Sequence, residues 1–292
     1  MRPALERMQA ALRHRGPDDE GIWWSPSGVA ALAHTRLAVI DVGPGGHQPM
    51  STADGRITIS FSGEIYNFTE LRKELEPHGA FRTQSDTEVI LRGYELLGLD
   101  LLPRLRGMFA LALWDERERT CTLARDPFGL KPLYYHRGPD GRLVFASEVR
   151  ALLASHMTPR ALDGQGLYGY FRTGTVPEPR TLVTEVCALE AGHSMTWRAG
   201  GITDRRFWSP RFPAVSVETN HYAETVRLAL IDSVAHHFVS DVPVGIMLSG
   251  GVDSAVMLAL ANQSGHSQVR TVSMSLPGST AVRMNIRDDL EP

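Results

Sequence analysis

The sequence predicts an α+β fold of two packed sheets with helices outside, followed by the first part of an α/β parallel-sheet unit. Three observations carry this expectation. Strand-length runs fill most of residues 22–150. Two helical stretches, each opening on a capping pattern, interrupt them. The last quarter of the chain reads strand, glycine loop, helix, strand.

Taken in order, residues 1–15 place Leu5, Met8 and Leu12 on one helical face and contain no apolar signal core, so an internal helix is expected. Residues 56–61 alternate, turning Ile57, Ile59 and Phe61 to one buried face. Asn67 with Glu70, and Ser85 with Glu88, have capping-box spacing. The first of these helices ends near Gly79, and the second turns Val89, Ile90, Tyr94 and Leu97 inward. Residues 108–114 are apolar on both faces, as a strand between two layers should be. Residues 120–125, 130–135 and 142–146 read as further strands, the last two joined by a turn at 138–141. From 208 to 217 the composition shifts to Pro, Ser and Arg, as in a linker. Residues 221–239 have helical spacing through Val226, Leu230 and Val234. Residues 244–248, 255–262 and 269–274 then make a βαβ unit.

The chain has 292 residues, enough for two domains with their own cores. The expected division is 1–207, a linker at 208–221, and 222–292. Hydrophobic residues at 42% and charged residues at 22% describe an ordinary globular protein. A formal net charge of −3 gives no electrostatic case for nucleic acid or an anionic membrane. Cys121 and Cys187 lie far apart without a His/Cys cluster, which argues against a zinc site or a disulfide framework. No apolar run is long enough to span a bilayer, and a cytoplasmic location is expected.

The residues richest in chemistry are Ser249-Gly250-Gly251-Val252-Asp253-Ser254. A strand that ends in two glycines and re-enters as a helix points several backbone N–H groups at one spot, where they and the helix dipole favour an anion. The Lys of the common nucleotide loop is missing. Asp253 beside a polyphosphate requires an intervening cation, so the loop suggests ATP with Mg²⁺, with Asp253 as metal ligand, held by its pyrophosphate end for adenylation. An ordinary strand-to-helix turn capped by Asp253 or Ser254 accounts for the same residues.

A series of motifs runs along the chain: Arg13-His14-Arg15-Gly16-Pro17-Asp18, His34-Thr35-Arg36-Leu37, Gly63-Glu64-Ile65-Tyr66-Asn67, Ser85-Asp86-Thr87-Glu88, Arg125-Asp126 through Lys131-Pro132-Leu133-Tyr134-Tyr135, and Ser240-Asp241-Val242-Pro243-Val244-Gly245 before the glycine loop. The set closely resembles the glutamine-hydrolysing asparagine synthetases, from about residue 5 to about residue 279. The resemblance implies a four-layer αββα sandwich of the N-terminal-nucleophile type, which releases ammonia from glutamine. A PP-loop synthetase domain that adenylates aspartate and yields asparagine, AMP and pyrophosphate should follow. Glutamine, aspartate and ATP are the implied ligands, and a homodimer is left open. By position, Arg36 is expected to pair with the glutamine α-carboxylate and Asp86 with its α-ammonium, with Glu64 lining the same recess. Asp86 serves equally as a first-turn acid of a capped helix. Ser62 and Gly63 fall at the oxyanion positions, where Ser62 replaces an Asn. Leu248, Ser249, Gly250, Gly251, Asp253, Ser254 and Met274 match the ATP segment.

Two departures qualify the resemblance. The family nucleophile is a cysteine at the mature N-terminus, with its own amine as base. This chain begins Met1-Arg2-Pro3, lacks the preceding strand, and has only interior cysteines, so no catalytic nucleophile is assigned. Residues 280–292 lose both periodicity and resemblance. The leading expectation is an incomplete, catalytically impaired amide ligase. A lactam- or amide-forming synthetase of secondary metabolism, or a non-catalytic glutamine- or nucleotide-binding remnant, are the alternatives.

Overall fold

A computed structural model describes residues 1–199, 201–212, 222–266 and 268–274. The chain divides into two compact units, Met1–Phe212 and Pro213–Pro292. Of the expected linker, residues 213–221 lie outside the described residues, as do residues 275–292.

The first unit opens with α1 (Arg2–Leu12), β1 (Asp19–Trp24), β2 (Ala31–Arg36), β3 (Met50–Ser51) and β4 (Ile57–Ile65). Then come α2 (Phe68–Leu75), α3 (Asp86–Leu97), β5 (Gly107–Asp115), β6 (Thr120–Arg125), β7 (Tyr134–Arg137) and β8 (Leu143–Ala146). It closes with α4 (Val149–Ser155), α5 (Gly164–Thr173), β9 (Val186–Ala188), β10 (His193–Arg198) and β11 (Gly201–Arg206). One sheet has six strands in the order β11-β10-β6-β5-β4-β3.

The period of two in β5 explains the layering. Phe109, Leu111 and Leu113 join Ile57, Ile59, Phe61, Val89 and Ile90 in a core under α2 and α3. Ala110, Ala112 and Trp114 face the other way, toward Leu32, Leu133 and Leu189. Beyond these, Met8 of α1 and Leu152 of α4 pack on Val144, Ala146 and Val186. Helices, sheet, second strand layer and helices thus give the four layers expected. The second layer, however, is in two pieces, β1-β2 and β8-β7-β9.

Three local expectations are corrected. The run at 130–135 becomes a strand only from Tyr134. The N–H groups of Leu130 and Lys131 donate instead to the Asp126 carboxylate, at 2.9 Å each. Asn67 precedes α2 but does not cap it. Its amide bridges the Arg104 carbonyl and the Arg106 N–H. Ser85 does cap α3, accepting from the Thr87 N–H. Yet Glu88 reaches back to the N–H groups of Arg82 and Thr83, so the reciprocal half of the capping box is spent on the preceding loop.

The second unit holds α6 (Tyr222–His237), β12 (Gly245–Met247), α7 (Val252–Gln263) and β13 (Arg270–Val272). β12 and β13 pair in parallel, as the βαβ reading expects. Its buried cluster is small, formed by Val234, Leu260 and Ala261.

Candidate functional site

Between the six-stranded sheet and the second strand layer lies a cavity of about 650 Å³. Arg36, Ser62, Gly63, Glu64 and Asp86 all line it. Arg36 ends β2 and is only 7% exposed. Its guanidinium donates to the carbonyls of Gly43, at 2.9 Å, and Ile40, at 3.2 Å, and also to that of Asp41. A guanidinium has five N–H donors, so these three carbonyls leave donors for a ligand carboxylate. The loop closes so tightly that a Cβ on Gly46 would lie 1.7 Å from an Arg36 nitrogen.

The Arg-Gly-Pro-Asp motif acts through that strand end. Asp18 donates its N–H to the Arg36 carbonyl, at 3.0 Å, and its carboxylate accepts from the Ala38 N–H, at 2.8 Å. Gly16 packs directly on the Thr35 backbone, where a Cβ would come within 2.3 Å. The motif fixes where β2 stops and therefore where the guanidinium sits.

Asp86, at the N-terminus of α3, is 4% exposed. Its carboxylate accepts from the Ile65 N–H, at 3.0 Å. Burial pushes its pKa up to about 7, and the nearby Glu64 charge adds to the rise against the hydrogen bonds from Ile65 and Thr87. Capping and site roles are divided between neighbours here: Ser85 caps the helix while Asp86 reaches the cavity wall.

Ser62 and Gly63 lie on β4, opposite Ala110 and Phe109 of β5. Gly63 has φ +151°, and a Cβ there would lie 2.1 Å from the Met108 carbonyl oxygen, so only glycine fits. Both neighbouring strands are held from behind. The side chain of Gln48 accepts from the Phe61 N–H, at 2.6 Å, and donates to the Thr87 hydroxyl. The fully buried Asp126 accepts from the N–H groups of Phe109, Phe128, Leu130 and Lys131.

Two lining residues escaped the sequence reading as parts of the site. His34 and Ser60 each sit two residues before a site residue on their strands, so they share its face. They meet across the layers, His34 Nδ1 to Ser60 Oγ, at 3.2 Å. Burial and the Arg36 charge push the His34 pKa down to about 4, leaving the imidazole neutral near pH 7. The signal available in the sequence was the alternation His34-x-Arg36 and Ser60-x-Ser62. The two free cysteines are separate from this chemistry: Cys121 sits at the apolar end of the cavity with its pKa pushed up to about 12 by burial.

In the second unit, Gly250 takes φ +76° and Gly251 stands at the N-cap of α7. The Ser249 N–H donates to the Ser254 hydroxyl, at 3.3 Å, and that hydroxyl donates to the Gly251 carbonyl, at 3.0 Å. Ser254 therefore shapes the loop, while Asp253 lies exposed on the first turn. Leu248 extends β12 by donating its N–H to the Val272 carbonyl. Met274 is 80% exposed. An exposed loop of small residues at a helix N-terminus fits a phosphate group, and one carboxylate beside it fits a Mg²⁺ whose other ligands are phosphate oxygens and water. Among the described residues no group of three His, Cys, Asp or Glu forms a metal site on its own.

Comparisons with known proteins give the family. The glutamine amidotransferase domain family matches residues 1–208, and the asparagine synthase family matches residues 225–284. Asparagine synthetase (glutamine-hydrolysing) 1 of Bacillus subtilis is 40% identical over 272 residues, which are 92% of this chain and 42% of that protein. Its paralogue, asparagine synthetase (glutamine-hydrolysing) 3, is 36% identical over 90% of this chain and 42% of its own length. The chain thus spans under half the length of these relatives. Among solved structures, the allosteric regulatory enzyme of purine biosynthesis superposes with a TM-score of 0.53 at 20% identity, over 97% of this chain and 67% of that one. Glutamine phosphoribosylpyrophosphate amidotransferase of B. subtilis gives 0.50 at 19%, over 98% and 67%. These two show the fold, and the family matches show the lineage: the chain belongs to the glutamine amidotransferase domain family.

Proposed function

We propose that residues 1–207 form a glutamine-binding amidotransferase domain and residues 222–292 the start of an ATP-dependent synthetase domain, in a protein that makes asparagine from aspartate. The observation that carries this reading is the convergence of Arg36, Glu64 and Asp86 with Ser62 and Gly63 on one cavity. A buried guanidinium and a buried carboxylate suit the two ends of an amino-acid head group, which no single charge would orient. Ser62 offers one hydroxyl donor where a longer amide is the common form, so oxyanion stabilisation is weaker by a few kcal/mol at most.

ATP and Mg²⁺ belong to the same proposal. When bound, ATP supplies activation of the acceptor carboxylate. The Ser249–Ser254 backbone would hold its phosphates, Asp253 the cation, and Leu248 and Met274 would line the nucleotide. No nucleic acid is expected as a partner. No helix among the described residues is long and apolar enough to cross a membrane. A cytoplasmic location is part of the reading, its support being two thiols that are not disulfide-bonded. Cys121 and Cys187 are interior and lack a free α-amine, so neither offers the family's nucleophile.

Calorimetric titration with L-glutamine at pH 8 tests the reading. Binding is expected, with Arg36→Ala and Asp86→Asn each weakening it at least ~10-fold, equivalent to ~1.4 kcal/mol. Absence of binding by the unaltered chain, or binding untouched by both substitutions, overturns it. A lactam- or amide-forming synthetase would share this site and differ only in its acceptor.

A further inference from the structure

We propose that Asp41 is a positioning residue of the amino-acid site: it ties the loop that cradles Arg36 to the start of α3 and so fixes the separation of Arg36 from Asp86. The inference rests on the glutamine reading and adds to it a residue that acts through its neighbours.

An α-amino acid carries its carboxylate and its ammonium on one carbon. A cation and an acid that grip both must therefore be held at one spacing, to within ~0.5 Å. Arg36 ends β2 and Asp86 opens α3, elements of different layers, and Asp41 is where the two are joined. Its carbonyl accepts from the Arg36 guanidinium, as do those of Ile40 and Gly43, so the guanidinium goes where this loop goes. Its carboxylate accepts from the Gln84 N–H, at 2.9 Å, across 43 residues of sequence. The N–H groups of Arg82, Thr83 and Ser85 are met from within their own segment, by Glu88 and by the Thr83 hydroxyl. That of Gln84, just ahead of Ser85 and Asp86, is met from the Arg36 loop. The backbone is shaped for this bond. Asp41 takes φ +51°, a left-handed conformation that Asp and Asn tolerate better than other side chains. Gly45 leaves the carboxylate its place, since a Cβ there would lie 2.4 Å from one of its oxygens. An acid that shaped only its own turn would bond main-chain groups a residue or two away; this remote partner serves a join between two segments.

The test uses the full chain with Asp41→Ala, Asp41→Asn and Gly45→Ala. Asn keeps an acceptor oxygen and tolerates the left-handed backbone, whereas Gly45→Ala keeps Asp41 and pushes its carboxylate aside. Amide exchange is read without ligand at residues 40–46 and 82–86, and L-glutamine binding is read by calorimetry. Asp41→Ala should speed exchange in both segments at least ~10-fold, leave residues 57–65 unchanged, and weaken glutamine binding at least ~10-fold. Gly45→Ala should act in the same sense, and it decides the question if Asp41→Ala fails to fold. Asp41→Asn should return exchange and affinity to within ~3-fold of the unaltered chain, because the bond to Gln84 is remade. In a chain that binds glutamine, an Asp41→Ala variant that alters only one of the two readouts, or neither, overturns the proposal. Failure of Asn to restore affinity does the same. If the unaltered chain binds no glutamine, the glutamine reading falls and the positioning role with it; the other adverse outcomes strike the role alone.

Discussion

Asp86 is the residue whose physics reaches furthest. Its carboxyl, ordinarily near 3.8, titrates at about 7 because burial penalises the charge. The unfolded chain releases this proton from about pH 4 upward, whereas the folded chain keeps it to about 7. Its contribution to stability therefore falls across that window as pH rises. A ligand ammonium beside it reverses the preference, so glutamine affinity should rise with pH toward and past 7. Below 7, binding should release up to one proton, measurable by calorimetry in buffers of different ionisation heat. pH-independent affinity between 6 and 8 would remove Asp86 from the ammonium role. At Gly63 the constraint is steric. Gly63→Ala places a Cβ 2.1 Å from the Met108 oxygen at φ +151° and should cost ~2 kcal/mol or more, seen as a lower denaturant midpoint.

At the scale of elements, the site is two strand ends held by buried side chains. Asp126 takes four backbone N–H groups, including that of Phe109 opposite Gly63. Asp126→Ala strands those donors in the interior and should cost at least ~3 kcal/mol in chemical denaturation, with weaker glutamine binding as the strand shifts. Much of this was legible in the sequence. The alternation at 56–61 gave the inward face of β4, and the doubly apolar run at 108–114 gave a strand between layers, because burial leaves a period in the chain. The spacing Ser85-Asp86 gave a helix start that also bears the acid. The uses of Asn67, Glu88 and Asp126 were not legible. Each spends its hydrogen bonds on a loop whose path is set by tertiary packing, and local spacing carries no record of that path. His34 and Ser60 left a trace in their alternation with Arg36 and Ser62, but their contact was not legible, since only the stacking of one layer on the other brings them together.

For the molecule as a whole, the two units differ in how much they bury. Among the described residues the first has three apolar clusters and the second one, with Leu228, Val252 and Val272 more than half exposed. Stability scales with apolar area removed from water, so the second unit should unfold at lower denaturant than the first. Segment-resolved hydrogen exchange checks this: residues 222–274 should exchange ahead of residues 57–125, and simultaneous exchange of both would contradict it. The first unit also carries a built-in optical gauge. Trp114 and Trp197 both border its cavity, with their indole N–H groups anchored to Glu116 and to the Gly141 carbonyl. Whatever enters that space changes the surroundings of two fixed chromophores, the buried Trp114 and the partly exposed Trp197, so the native emission colour of the unlabelled protein should report occupancy.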